Sequence, residues 1–295
     1  MESKSSRLRL AGSIIFKLVA ATLLMFILTG ILSIPGIVYM MMTSDIPLDE
    51  LTDHLFEEPV PGMLVAAAQF FGVLLTVYIM KRWKKETLKN VGWYDFWKNK
   101  RELVFGLLLG FVSITVIFFI LVALGQITFE TNHLLQPRFS WAFLIGLITF
   151  IFVALNEELF FRGYVISVLE PTHSKITIYI VSAVIFSCAH IFNSNVHFLG
   201  LVNIILIGLL FAYMYIETNR LWMPIGYHLT WNFFQGNVFG FQVSGNKTNS
   251  LYQPEIQDTI LTGGAFGPEA GVLSTIVIVI GFMITRWFIQ SKRHS

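Results

Sequence analysis

Long apolar runs separated by short polar stretches set the pattern of this chain. They cover Leu18–Met42, Met63–Met80, Leu103–Gly125, Trp141–Arg162, Ile176–Phe192, Phe198–Tyr215, Met223–Val243 and Ala270–Ile289. Each run is nearly free of charge and long enough to cross a hydrocarbon core as a helix. The pattern predicts an all-α polytopic membrane protein with about eight transmembrane helices. Composition agrees, since 55% of the 295 residues are hydrophobic, too many for a soluble domain to bury. No repeat, low-complexity tract or soluble domain interrupts the spans.

Eight spans place both termini on one side, and charge decides which. With the N-terminus in the cytoplasm, the inside segments hold Lys4, Arg7, Arg9, Lys17, the run KRWKKETLKNVGWYDFWKNKRE (81–102), Arg162, Lys175, Arg220, Arg286, Lys292 and Arg293. Only Arg138 and Lys247 fall outside, which by the positive-inside rule fixes both termini in the cytoplasm. Loop 43–62 agrees, carrying Asp45, Asp49, Glu50, Asp53, Glu57 and Glu58 without a basic residue. The net charge of +2 therefore reflects a membrane face rather than a nucleic-acid surface. Segment 81–102, with Trp83, Trp93, Tyr94 and Trp97 among its lysines, reads as a juxtamembrane anchor or as an interfacial helix on anionic lipid.

Smaller signals refine this. The first run is longer than a signal peptide's apolar region and lacks a small-residue cleavage pattern, so a cleaved leader is not expected. The single cysteine, Cys188, leaves no internal disulfide and no thiolate cluster. Pro35 is expected to kink the first span. Gly106 with Gly110, and Gly236 with Gly240, form two G-x-x-x-G patterns that predict close helix packing within one chain. The string HLFEE (54–58) lacks the H-E-x-x-H spacing of a zinc protease and falls in the acidic outer loop.

Chemistry concentrates in three places inside the apolar runs. In ALNEELFFRGY (154–164), Glu157 and Glu158 are the only acidic residues placed within a span. Lipid penalises buried charge, so such residues mark a function. Glu158 and Arg162 are four apart on one helical face and can pair, whereas Glu157 is rotated by about 100° and has no opposite charge on its own face. FSCAHIF puts His190 in the fifth span with Phe186 one turn earlier. MPIGYHLTWNFF starts a helix at Pro224, with His228 about one turn inside and Asn232 on the same face. A carboxylate with a histidine can deprotonate water, and a histidine with an asparagine can stabilise an oxyanion. Read this way, the spans enclose an intramembrane catalytic cavity suited to peptide hydrolysis.

EELFFR (157–162), FSCAH (186–190) and HLTWN (228–232) together resemble the CPBP intramembrane proteases, the CAAX-protease and bacteriocin-processing family also called Abi. The resemblance covers roughly residues 141–240. It implies that Glu157, assisted by His190, activates the attacking water, and that His228 and Asn232 stabilise the oxyanion. Glu158 and Arg162 would then shape the site, with Phe186 packing beside it. The substrate implied is a membrane-associated peptide or protein, prenylated only where a eukaryote-like pathway exists. The expected location is a bacterial plasma membrane, with the site open to the cytoplasm and no nucleic-acid partner. Three regions follow: 1–140 with the first three helices and segment 81–102, 141–243 as the catalytic membrane core, and 244–295 as an extracytoplasmic loop and last helix.

The cofactor stays open between zinc and none, because Glu157, His190 and His228 also make a Glu-His-His set with a free position for water. A membrane scaffold or bacteriocin self-immunity protein is the non-catalytic alternative. A proton-relaying transporter ranks below it, since no paired broken helices occur in two halves. Depth raises one difficulty. Glu157 and His228 lie about 8 Å from the basic end of their spans, while His190 lies about 21 Å along its own. They meet if the fourth helix continues through GYVISVLEPTHSK (163–175) as far as Pro171.

Overall fold

The computed structural model describes residues 4–43, 58–129 and 139–293. Its helices are α1 (Lys4–Thr43), α2 (Pro59–Trp83), α3 (Phe96–Ala123), α4 (Trp141–Glu157), α5 (Ile166–Leu169), α6 (Lys175–Cys188), α7 (Phe198–Thr218), α8 (Trp222–Phe233) and α9 (Val272–Arg293). Two two-residue strands, β1 (Ile127–Thr128) and β2 (Glu255–Ile256), pair antiparallel. Among the described residues six helical stretches are long and apolar enough to span a membrane, and the fold is an all-α integral membrane protein. α6 and α8 are shorter than the runs that predicted them. Loop residues 44–57, which include HLFEE up to Glu57, and Arg138 lie outside the described residues.

α4 does not end at Arg162. It passes into a π-helix over Glu158–Val165, then α5, then a short 3-10 turn to Thr172, making one helical rod from Trp141 to Thr172. This is the extension that the depth argument requires. α6 then starts behind Ser174, whose hydroxyl accepts the Thr177 backbone N–H at 3.2 Å as an N-cap. Because the α4–α5 rod and α6 run antiparallel, Glu157 and His190 reach the same level.

In lipid, helices associate through close packing and interhelical hydrogen bonds rather than through water exclusion. α3 and α8 show both. A Cβ at Gly106 would strike the Met223 carbonyl, and one at Gly110 the Tyr227 carbonyl. From the other side, Gly226 lies against Leu103 and Leu107. Thr230 Oγ1 then donates to the Leu107 carbonyl at 2.8 Å. The second G-x-x-x-G does something else. Gly236 lies in a π-helix over Phe234–Val238, and Gly240 has φ +76°, beyond the helix, where the chain turns back.

Segment 81–102 is not one interfacial helix. α2 ends at Trp83, a 3-10 turn covers Leu88–Val91, and α3 starts at Phe96. Val91 is buried, and Trp93 stacks on Phe70 and tilts against Trp222. The aromatic residues that suggested a lipid surface are partly spent on packing. At the end of this segment Glu102, almost fully buried, binds Arg220 at 2.6 Å and Lys292 at 2.8 Å. Arg293 pairs with Glu217 at 2.6 Å. The start of α3, the α7–α8 turn and the end of α9 therefore meet at one end of the bundle, as the span alternation predicts. Pro35 lies within a continuous α1, whose outward face, with Leu8, Ile15, Phe16 and Leu23, is exposed as lipid contact requires.

Candidate active site

The π-helix is the first local departure that matters, because such bulges widen a turn and recur at functional sites. All eight of its residues are buried. Glu158 and Arg162 face inward and pair at 3.0 Å, with side chains 0% and 1% exposed. The Arg162 guanidinium stacks on Phe186, 4.0 Å from its ring centroid, and faces Phe211 at 5.0 Å. Two aromatic faces thus supply part of the stabilisation that water would otherwise give the cation. Phe186 also meets the His190 ring edge-on at 4.9 Å. It joins the charged pair to the histidine rather than simply filling space.

His228 enters from α8 and closes the pair from the other side. Its Nδ1 lies 2.8 Å from Glu158 Oε1, the same oxygen that accepts from Arg162. Sequence spacing presented His228 as a free neutral donor beside Asn232, but the fold gives it a carboxylate partner from α4's rod. Its Nε2 is 3.8 Å from Glu157 Oε2, too far for a hydrogen bond. Glu157 Oε2 has no hydrogen-bond partner among the described residues, although its side chain is 21% exposed. The division expected from helical geometry is present: Glu158 is held, and Glu157 is not.

Glu157 opens on a cavity of about 360 Å³. Its walls include Met25 and Thr29 of α1, Gln69 of α2, Asn203 of α7, and His190, His228 and Asn232. His190 Nδ1 lies 2.9 Å from the Phe186 carbonyl, so it donates there and Nε2 is left to face the cavity. Glu157, His190, His228 and Asn232 therefore share one cavity, with Glu158, Arg162 and Phe186 behind its wall or in it. Among the described residues no three His, Cys, Asp or Glu side chains are grouped closely enough to hold a metal ion.

The cavity also holds a carboxylate that sequence reasoning missed. Glu269, in the Gly-rich stretch just before α9, lines it together with Ser244. Glu269 Oε2 accepts the Ser244 backbone N–H at 2.6 Å and its hydroxyl at 2.9 Å. Burial pushes the Glu269 carboxyl above the usual range, against the opposing pull of Ser244 and of nearby His190. The only signal in the sequence was an acidic residue within GGAFGPEAG (263–271), directly before a span. Asn193 and Asn203 stitch this loop down, donating to the carbonyls of Ser244 at 3.0 Å and Glu269 at 2.8 Å. α7 runs from this region to Thr218, next to Arg220, so the loop side of the cavity lies at the end away from the basic cluster.

Residues 137–234 match the model of a family described as type II CAAX prenyl endopeptidase Rce1-like. Every motif that carried the resemblance, from Glu157 to Asn232, lies within the matched segment. Helices α1 and α2, which close one side of the cavity, and Glu269, which enters from the other, lie outside the match. No curated protein and no solved structure gives a significant match to the chain.

Proposed function

We propose that the chain is an intramembrane endopeptidase that cuts a peptide bond of a membrane-associated peptide or protein, with Glu157 as the base that activates water. The observation that carries this reading is the unequal treatment of two adjacent glutamates. Glu158 is tied through Oε1 to Arg162 and His228, with its Oε2 unpartnered, whereas Glu157 lines the cavity and comes no closer to a basic group than 3.8 Å from His228. An acidic side chain at a cavity wall without a close countercharge is costly to keep for structure alone.

In the reaction, Glu157 takes a proton from water as the oxygen attacks the scissile carbonyl carbon. Asn232 and His228 face the oxyanion; because the His228 Nδ1–H donates to Glu158, His228 donates from Nε2 as the imidazolium. Collapse of the tetrahedral intermediate breaks the C–N bond, and the proton on Glu157 passes to the leaving amine. His190, anchored through Nδ1, presents Nε2 to the same water. Electrostatic groups of this kind act strongly where the surroundings are of low dielectric.

The test is cleavage of a peptide library by the purified protein in lipid nanodiscs, read by mass spectrometry. Glu157→Gln keeps shape and should reduce turnover by at least about a hundredfold. Wild-type processing by that variant, in vitro or in complementation of a deletion, would return the protein to the scaffold or self-immunity class.

A further inference from the structure

The cavity contains more negative charge than cleavage by Glu157 calls for. Its titratable lining groups are Glu157, His190, Tyr227, His228 and Glu269, and none of the described lining residues is a lysine or arginine. Glu158 is outside this count because Arg162 alone balances it. Two carboxylates remain, Glu157 and Glu269, and among the described lining residues only the imidazoles of His190 and His228 could offset them. With no permanent cation on the wall, a carboxylate in such a low-dielectric site favours either a bound proton or an incoming cation.

Glu269 is built for the second role. Both hydrogen bonds from Ser244 fall on Oε2, which fixes the carboxylate plane. The Gln235 side chain also lies close to this carboxylate, and the Glu269 side chain lines the cavity. Asn203 and Asn193 hold the surrounding backbone, so the carboxylate is positioned before anything binds.

We propose that Glu269 is a cation-selecting subsite, and that the substrate is a peptide carrying a lysine, an arginine or a free amino terminus close to the bond that is cut. This deepens the endopeptidase reading of the same cavity and rests on it for the word substrate, although the subsite itself is tested by binding. Burial raises the pKa of the Glu269 carboxyl, and a cation favours its ionised form, so cation affinity rises with pH through the raised range of Glu269.

The full-length Glu157→Gln protein in nanodiscs provides a non-cleaving background with Glu269 intact. It is titrated with a short fluorescent apolar peptide bearing one lysine, and with the same peptide bearing norleucine. The lysine peptide is expected to bind about tenfold more tightly, with a preference that grows as pH rises. Adding Glu269→Gln, which keeps an acceptor for Ser244 but removes the charge, should abolish the preference. Ser244→Ala, which loosens the loop but keeps the charge, should retain it. Equal binding of the two peptides overturns the proposal without any variant at Glu269, as does a lysine preference that survives Glu269→Gln. Cleavage by the wild-type protein of neutral and basic peptides at equal rates would sink the subsite and leave the endopeptidase reading standing.

Discussion

Arg162 sits where a cation is hardest to keep, deep in an apolar helix, and three partners make that position tenable. Glu158 supplies the charge, and Phe186 and Phe211 supply ring faces. Replacing it with alanine removes all three contacts and leaves Glu158 with His228 alone. Arg162→Ala is expected to destabilise the fold by about 3–5 kcal/mol, the range found when a buried pair loses one member. Glu157→Gln, which orphans nothing, should melt with the wild type in detergent; equal melting temperatures for both variants would refute this division of roles. At the same scale, Asn232→Ala should raise the cleavage barrier by on the order of 3 kcal/mol with the fold intact, as the loss of one oxyanion donor does. Its kcat compared with that of wild type on a cleaved library peptide measures this directly.

Between α3 and α8 the interface depends on atoms that are absent. Gly106, Gly110 and Gly226 let two backbones approach closely enough for Thr230 to reach the Leu107 carbonyl. Since α8 carries His228 and Asn232, this contact sets how far both project toward α4's rod. Gly110→Leu would drive a side chain into the Tyr227 carbonyl, and overpacking of this kind costs about 1–3 kcal/mol. The expected result is a lower melting temperature with activity lost in step. A Gly110→Leu protein that melts with the wild type and cleaves normally would show that the approach is not needed. The π-helix of α4's rod does comparable work on the other side, turning Glu158 and Arg162 inward while Glu157 opens to the cavity.

Across the whole molecule, charge separates two ends. Glu102 gathers Arg220 and Lys292, and Arg293 joins Glu217, at the end where the positive-inside rule places the cytoplasm. Accessible tags after Ser295 and between α2 and α3 should report cytoplasm, and one in the loop between α8 and α9 should report the outside. A cytoplasmic signal from that loop would invert the alternation of spans and with it the side on which Glu269 enters the cavity.

The elements that sequence made legible are those written in local pattern. Eight apolar runs, their alternating charge, the Glu158–Arg162 pair and the glycines of α3 each depend on residues a few positions apart, where helical geometry alone decides who faces whom. The extension of α4's rod past Arg162 was also readable, because Glu157 and His190 could not otherwise meet. Long-range contacts were not. The carboxylate partner of His228 comes from a residue 70 positions away, and Phe186 finds Arg162 only when two helices lie antiparallel. Loop 244–271 carries no periodicity, so nothing local shows that it folds back and brings Glu269 to His190. Membrane spans are dictated by the solvent they must satisfy, which any single run records. The contents of the cavity were decided by helix crossing and loop closure, which no run records by itself.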